Sequence, residues 1–414
     1  MQTAERSKPR LVVFDVEGVL IPKNRFIFDV GKSLGVSMLL KMLLIGFLYE
    51  AGLVTLKWAL RRIFKIMTGV KIAKIIKIFN EIPSNPQLLS LFDQLKDRNF
   101  KIALISSGIP SVIVEKLAST LHADYAVGVE VGLNDEALTG EIWGDAIETN
   151  GKRKVLTRIL AAAGLNLEDC VVVADDRNNS CIFLSRAQKI GYNPDFVLRV
   201  KADNVITGRL SKILPLIDGK PRQWSLPSKN DLLREGIHAS GFFIPVLSDL
   251  VGVYSVALMI FVISAVYSFS ELLRMNNTNM PVISTITQNA ASPAELYEFA
   301  AAPLYFATGI LLTLLMFPAV VSSAAIAVFT LGDSTASLFG GLISKKSLPL
   351  NKSKTLEGSL IGFLFAFLAG AFFVPPMLAL IAAAVAMTIE SLPFPVNDNI
   401  LIPLGTGLAL LAML

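Results

Sequence analysis

The sequence predicts an α/β domain built on a parallel sheet, followed by an all-α membrane domain of about six to seven segments. The chain has 414 residues, which is long for a single domain. Only 17% of the residues are charged, whereas soluble domains carry about a quarter. The charges are concentrated in residues 1–236, and residues 237–414 contain long apolar runs such as LIGFLFAFLAGAFFV. The fold class therefore changes near residue 236.

Four apolar runs in the first part have the length and composition of buried strands: LVVFD (11–15), KIALIS (101–106), VVVAD (171–175) and FVLRV (196–200). Helical patterns such as RKVLTRILAAAG separate them, which indicates a parallel sheet with right-handed crossovers. The first three runs end in Asp15, Ser106 and Asp175. Because ligands bind at the carboxyl ends of such strands, we expect these residues at a site.

The residue inventory limits the chemistry. The chain has two histidines, His122 and His238, so a histidine base or a histidine metal cluster is not expected. Its two cysteines, Cys170 and Cys181, fit a reducing compartment and are interpreted as small buried side chains. Any reaction must therefore depend on carboxylates, lysine, serine and backbone amides. A nucleic-acid partner is not expected.

Four short motifs resemble, in order, those of haloacid-dehalogenase-like phosphatases. They are FDVEGVL around Asp15, ISSG around Ser106, NGKRKVL around Lys152 and VVVADDRNN around Asp175. Their order and spacing, with LTGE before the lysine motif, resemble the phosphoserine-phosphatase branch. The resemblance covers residues 8–215 and implies an α/β Rossmann-like haloacid-dehalogenase domain with a helical cap. It also implies a small phosphomonoester as substrate.

The resemblance implies a role for each motif residue. Asp15 is the nucleophile that forms an aspartyl-phosphate. Glu17 protonates the leaving group and then activates water. Ser106 binds the phosphoryl oxygens, and Lys152 neutralises charge on the phosphoryl group and Asp15. Mg²⁺ is the implied cofactor, since it prefers oxygen ligands.

Two positions depart from the family pattern. Glu17 stands where Asp is usual, and it still titrates. The fourth motif reads Ala-Asp-Asp-Arg-Asn-Asn instead of Gly-Asp-Gly-x-Asn-Asp, so Asn179 replaces the last carboxylate. Asp176 is the candidate to take its place. The candidate metal ligands of this domain are therefore Asp15, Glu17, Asp175 and Asp176, and a non-catalytic, regulatory head is the alternative.

Residues 24–85 lie where this family inserts a helical cap. Residues 57–79 contain seven lysines and arginines and no acid, interleaved with apolar residues. Such a basic amphipathic pattern suits either contact with anionic lipid headgroups or a solvated face of a cap helix. MLLIGFLYEAGLV (42–54) is apolar but short, and it is interpreted as a cap helix and not as a span.

The predicted domains are the phosphatase-like domain at 1–215, a linker at 216–236 and the membrane domain at 237–414. The linker contains Pro221 and Pro227. Apolar segments follow at 241–269, 301–317, 319–341, 357–374, 376–391 and 400–414. The lysine-rich loop at 342–356 should face the cytoplasm, as the N-terminal domain does. This requires an even number of crossings before the loop, so segment 241–269 should hold two closely spaced membrane segments. One of them would be a short half-helix near Pro245 and Asp249.

Polar residues inside such apolar segments are functional candidates. Three clusters occur: LGDSTASLFGG, KSKTLEGS, and Glu390 with PVNDN. Acids could hold Mg²⁺, and a lysine with Gly and Ser amides at a helix N-terminus suits phosphate. Together they predict a metal-nucleotide site at the membrane face.

These pieces, with Arg234, His238, Glu271 and Arg274, resemble the dolichol kinase and phytol kinase family. The resemblance spans residues 234–414 and implies a kinase of an isoprenoid alcohol with CTP as phosphoryl donor. The implied catalytic residues are Asp333, Lys354 and Glu357, with Asp333 also a metal ligand. The implied nucleotide-binding residues are Gly332, Lys354, Gly358, Ser359, Asp398 and Asn399.

KTLEGS also resembles part of the CDP-diacylglycerol synthase signature, although the downstream GGxxDR-type segment is absent. A CDP-lipid synthase is therefore the alternative for the membrane half. The N-terminus has no signal-peptide hydrophobic region. We expect a multi-pass protein of the cell membrane whose N-terminal domain is cytoplasmic, with two activities.

Overall fold

A computed structural model divides the chain into two compact units, Met1–Asp218 and Gly219–Leu414. The structure describes residues 10–50, 52–82, 87–219, 227–276, 278–291, 295–296, 299–343 and 347–413. Each unit has its own buried apolar core.

A seven-stranded sheet, counted over the described residues, forms the centre of the first unit, in the order β4-β3-β2-β1-β5-β6-β7. Only β3 and β4 pair antiparallel, and the other neighbours are parallel. Central β1 is buried from Leu11 to Asp15, which explains its unbroken apolar run. The strands are β1 (Arg10–Asp15), β2 (Phe100–Pro110), β3 (Tyr125–Asn134), β4 (Ala137–Trp143), β5 (Cys170–Ala174), β6 (Gln188–Tyr192) and β7 (Asn204–Ile206).

The α/β prediction for this unit is confirmed, but one of its four predicted strands is wrong. FVLRV belongs to a helix, Phe196–Lys201, whose N-cap Asp195 accepts a hydrogen bond from the Leu198 amide at 2.9 Å. A short apolar run does not distinguish a strand from a buried helix, and the Pro-Asp pair before this one starts a helix. The strand that pairs with β5 on this side of the sheet is β6, which is more polar than FVLRV.

Of the helices described between β1 and β2, four lie within the range predicted for the cap. They are α1 (Arg25–Leu34), α2 (Val36–Glu50), α3 (Leu56–Ile66) and α4 (Ile72–Glu81). Residues 83–85 of the predicted cap lie outside the described residues. The remaining helices of the unit are α5 (Leu88–Asp97), α6 (Ser111–Thr120), α7 (Gly151–Ala163), α8 (Phe196–Lys201) and α9 (Ile213–Ile217).

The described part of the second unit is helical. Two helices, Val253–Met275 and Ala319–Gly340, are long and apolar enough to cross a membrane, and four more apolar helices are shorter. The number of membrane segments stays a prediction. The helices are α10 (Lys229–Ser240), α11 (Ile244–Val251), α12 (Val253–Met275), α13 (Ile283–Ala290), α14 (Ala302–Met316), α15 (Ala319–Ile343), α16 (Leu356–Gly370), α17 (Pro376–Ser391) and α18 (Asp398–Leu411).

The range predicted as a linker, 216–236, contains helix at both ends. Helix α9 ends at Ile217, and α10 begins at Lys229 with a capping box formed by Ser228 and Asp231. Pro221 lies outside the described residues. Within the 241–269 segment, the eight-residue α11 precedes the long α12, with Gly252 at positive φ between them.

Candidate active site of the N-terminal domain and polar cluster of the helical unit

Asp15 ends the central strand β1 and lies beside residues from three other elements. Ser106 belongs to β2, Lys152 to the first turn of α7, and Asp175 directly follows β5. All four side chains are buried, although they are polar. The parallel sheet thus brings together the residues that the motifs predicted for the first site.

Lys152 and Asn179 fix the carboxylate of Asp15. The Lys152 ammonium lies 2.9 Å from Asp15 Oδ1 and 2.7 Å from Asn179 Oδ1, and the Asn179 amide donates to Asp15 Oδ2. Burial alone would lower the pKa of Lys152, but the carboxylates of Asp15 and Asp176 outweigh it and raise that pKa. Lys152 is therefore a permanent cation beside the candidate nucleophile.

Three carboxylates form a group that could hold a divalent cation. Oxygens of Asp15, Asp175 and Asp176 lie within 4.8 Å of one another. Asp175 Oδ1 is buried and has no hydrogen-bond partner among the residues that the structure describes. Burial, together with the charges of Asp176 and Asp15, raises the pKa of Asp175 well above its ordinary value. An oxygen-rich group with an unsatisfied buried oxygen fits Mg²⁺, which prefers such ligands.

Gly18 explains how the chain passes close to this group. Its φ is +80°, and a Cβ built at this position would lie 2.0 Å from Asp175 Oδ2. The loop after β1 therefore requires glycine both for its backbone conformation and for room beside the carboxylate.

Glu17 and Ser106 lie close to each other in this site. Ser106 Oγ accepts from the Gly108 and Ile109 amides at 3.1 and 2.9 Å, and it lies 3.5 Å from Glu17 Oε2. Burial, followed by the charge of Asp15, raises the pKa of Glu17 to about 7. A carboxyl group with this pKa can donate a proton near neutral pH and accept it back. Glu17 lies outside the three-carboxylate group, so its predicted part in metal binding stays a prediction.

Four side chains near this site were not predicted from the sequence. Lys23 Nζ lies 3.8 Å from Asp175 and 3.4 Å from Asp176. Tyr49, in the cap helix α2, donates its hydroxyl hydrogen to Asn178, and Arg177 donates to the Tyr49 carbonyl at 2.6 Å. No motif spacing indicates Lys23 or Tyr49. Arg177 and Asn178 lie within the fourth motif, VVVADDRNN, which follows the end of β5, but the motif gives them no role.

The helical unit has its own polar cluster around Lys354, which lies in the loop before α16. Lys354 Nζ lies 2.8 Å from Glu390, 3.7 Å from Asp333 and 3.9 Å from Asp398. Burial would lower the pKa of Lys354, but these three carboxylates raise it. The three polar sequence clusters therefore meet at one place, although they are up to 65 residues apart, from Asp333 to Asp398.

The other predicted residues of this cluster are a pair of polar side chains, two glycines at a helix contact and one helix-terminal asparagine. Ser359 donates to Glu390 at 3.0 Å, and Glu357 Oε2 is buried without a hydrogen-bond partner in the described part of the chain. Gly332 and Gly358 lie where α15 packs against α16: a Cβ on Gly358 would be 2.7 Å from the Ala336 carbonyl. The backbone N–H of Asn399, in the first turn of α18, donates to the side-chain oxygen of the cap residue Asn397 at 3.0 Å.

The flanking residues of the kinase-like pattern each contact a nearby side chain. Arg234 lies 3.1 Å from the buried Glu235, and His238 stacks on Phe306 with ring centroids 4.4 Å apart. Glu271 and Arg274 form a buried ion pair at 2.7 Å. Burial, partly opposed by Arg234, raises the pKa of Glu235 to about 7, and the charge of Asp333 contributes to this rise.

Comparison with known proteins addresses the first unit. Residues 12–178 match the family model for haloacid dehalogenase-like hydrolases. A phosphoserine phosphatase of Methanocaldococcus jannaschii is 29% identical over 213 residues, which cover 51% of this chain and 98% of that protein. A phosphoserine phosphatase of Streptococcus thermophilus is 25% identical, over 50% of this chain and 95% of that protein.

A solved structure described as a phospho-aspartyl intermediate analogue of phosphoserine phosphatase is 28% identical to the chain. It covers 51% of this chain and 99% of its own, with a TM-score of 0.47. By the family and sequence matches, the N-terminal domain is similar to haloacid dehalogenase-like hydrolases of the phosphoserine-phosphatase type, as its four motifs predicted.

Proposed function

We propose that the N-terminal domain hydrolyses a phosphomonoester through an aspartyl-phosphate on Asp15. The observation that carries this proposal is the buried Asp15 carboxylate, held by Lys152 and Asn179 beside a partly unsatisfied group of acids. A carboxylate fixed in this way is a nucleophile whose position is set before the substrate arrives.

In the first step, a carboxylate oxygen of Asp15 forms a bond to phosphorus as the ester oxygen leaves. Glu17 gives its proton to that oxygen, and the alcohol departs. In the second step, Glu17 takes a proton from water, the water oxygen attacks phosphorus, and inorganic phosphate leaves Asp15. Lys152 and the hydroxyl of Ser106 balance charge on the phosphoryl oxygens in both steps.

The residues present fit a Mg²⁺ ion, which Asp15, Asp175 and Asp176 would hold. When bound, the ion would supply positive charge that offsets the negative charge of the phosphoryl group. The relatives are named phosphoserine phosphatases, so phosphoserine is the first small substrate to test.

The test compares the full-length protein with its Asp15→Asn variant on an aryl phosphate and on phosphoserine, in the presence of Mg²⁺. We expect the wild type to release phosphate and the variant to release none, since an amide is not a nucleophile here. If the two proteins behave alike, the head is a non-catalytic, regulatory module.

For the helical unit we propose a multi-pass membrane domain that transfers phosphate from CTP to an isoprenoid alcohol. The supporting observation is Lys354 within 4 Å of Asp333, Glu390 and Asp398, although these residues come from separate segments. A lysine among carboxylates at the end of apolar helices suits a metal-bound nucleotide, with Lys354 on the phosphates and Asp333 on the metal.

One assay separates this proposal from the CDP-lipid synthase alternative. Purified protein is incubated with labelled CTP and Mg²⁺, with geranylgeraniol in one sample and phosphatidic acid in another. The kinase produces CDP and geranylgeranyl monophosphate, whereas the synthase releases pyrophosphate and forms CDP-diacylglycerol. Absence of product from several isoprenoid alcohols would contradict the kinase proposal.

A further inference from the structure

Helix α2 of the cap exposes large apolar side chains along most of its length. Val36 is 74% exposed, Leu40 61%, Leu44 58% and Phe47 66%. Met42 is the one residue of α2 that is fully buried among those whose side chains are described. We define the apolar cap face as Val36, Leu40, Leu43, Leu44 and Phe47, which recur at helical spacing on one side of α2. A contiguous exposed apolar surface of this kind marks an interaction site.

The neighbouring cap helices have the opposite character. Helices α3 and α4 bury Leu60, Ile63, Phe64, Ile75 and Phe79 and turn basic side chains outward. The basic cap surface consists of the exposed residues Arg61, Arg62, Lys65, Lys71, Lys74 and Lys77. Residues 57–79 therefore form amphipathic helices, and most of their apolar side chains pack into the core of the domain. The surface left outside attracts anions.

The helix with the apolar face also reaches the candidate active site. Tyr49, near its C-terminal end, donates to Asn178, which itself donates to Asp176 at 3.0 Å. The Arg177 guanidinium lies 5.1 Å from the centre of the Tyr49 ring and donates to the Tyr49 carbonyl. A molecule that touches the apolar cap face is therefore bound by the same helix that contacts the loop of the acid group.

We propose that the apolar cap face and the basic cap surface dock on an anionic bilayer, and that the domain hydrolyses a phosphomonoester of a membrane lipid. This inference rests on the proposed phosphatase function and names its substrate class. In the reaction, the ester oxygen of the lipid leaves phosphorus with the proton from Glu17, so the lipid alcohol stays in the bilayer and phosphate departs into water.

The dimensions and charges favour a bilayer over a protein partner. Fifteen helical residues span only about 22 Å, which is too short for a hydrocarbon core of about 30 Å. A helix of this length can lie in the interface with its apolar side chains inserted. Each basic residue near an anionic surface adds to the electrostatic attraction. The basic cap surface therefore complements the apolar cap face at a lipid surface.

The test uses full-length protein reconstituted in phosphatidylcholine vesicles that contain phosphatidylglycerol. One substrate is a lipid phosphomonoester, either phosphatidic acid or geranylgeranyl monophosphate, and the other is a water-soluble aryl phosphate. The test variant is Leu44→Asp/Phe47→Asp. The control is Leu133→Asp, at an apolar residue of β3 that is 50% exposed.

We expect the double variant to lose about tenfold or more in kcat/KM on the lipid phosphates and to keep its rate on the aryl phosphate within about twofold. The control should change neither rate. Equal loss on both substrates, or no loss on the lipid phosphates, overturns the inference. A wild type that cleaves the aryl phosphate and phosphoserine but neither lipid phosphate also overturns it and leaves the proposed phosphatase intact. A wild type that cleaves nothing overturns both.

A second measurement reports on docking without activity. Trp58, Trp143 and Trp224 are replaced by Phe, and a single tryptophan is introduced as Phe47→Trp or as Leu133→Trp. Lipids brominated on their acyl chains should quench the tryptophan at position 47 and not the one at position 133. Quenching at neither position, or equal quenching at both, contradicts docking through the cap. Binding to a protein partner would give the first of these results.

Discussion

Lys152 balances the acids around the candidate nucleophile. It contacts Asp15 directly, and Asp176 and Asp175 both add to the rise of its pKa. A buried cation among three carboxylates is costly to remove, because the remaining charges are then desolvated and uncompensated. Stability and chemistry at this site therefore depend on the same side chain.

Replacement of Lys152 by Met should lower kcat on an aryl phosphate by about 10²-fold or more, since one stabiliser of transition-state charge is lost. The free energy of unfolding should fall by about 3–5 kcal/mol without metal. Added Mg²⁺ should raise the melting temperature of this variant more than that of the wild type. Lys201→Met, at an exposed lysine, serves as the control and should change none of these quantities.

The sequence predicted which residues meet at this site but not how Asn179 acts there. At the sequence level, Asn179 was a missing carboxylate that weakened the metal prediction. In the structure it is fully buried and bonds to Lys152, Asp15 and Asp176 at once. Asp176 joins the carboxylate group. A residue type alone does not show which partners a buried amide will satisfy, because that depends on the packing around it.

The elements of the sheet were predictable where burial was complete on both faces. β1, β2 and β5 are such strands, and their apolar runs identified them. β6 and the edge strand β7 were not predicted, because Gln188, Lys189 and Asn204 make the first residues of these two strands polar. The helix at 196–201 was taken for a strand, since its six residues are too few to show a helical period.

The loop between β1 and the cap should tolerate no side chain at Gly18. Gly18→Ala places a methyl group 2.0 Å from Asp175 Oδ2, so the carboxylate must move. We expect activity to fall by about tenfold or more and the Mg²⁺ requirement to rise, because a misplaced ligand weakens the metal group. The measurements are the aryl phosphatase rate and its dependence on Mg²⁺ concentration.

Gly164→Ala is the matched control for Gly18→Ala. Gly164 also has positive φ, at +68°, but a Cβ there meets no atom of the described residues within 4 Å. It should cost about 1 kcal/mol of stability through backbone strain alone and leave the kinetics unchanged. Similar kinetics for the two variants would show that the approach of Gly18 to Asp175 has no role in the site.

At the level of the whole chain, composition alone separated a charged half from an apolar half, and the structure divides at Asp218. The two halves place their polar clusters in separate units, one around Asp15 and one around Lys354. Family motifs predicted both clusters. The number of membrane segments could not be fixed in the same way, because four of the apolar helices are shorter than a bilayer span.

Two independent sites predict separable activities in one polypeptide. Asp15→Asn should abolish phosphomonoester hydrolysis and leave transfer from labelled CTP to geranylgeraniol unchanged. Asp333→Asn should do the reverse, because it removes a carboxylate from the Lys354 cluster only. Both reactions are measured on the same reconstituted preparation, with the melting temperature as a check that each variant folds. Loss of both activities in either variant would mean that the units work as one catalytic assembly, since distant, independent sites should not influence each other.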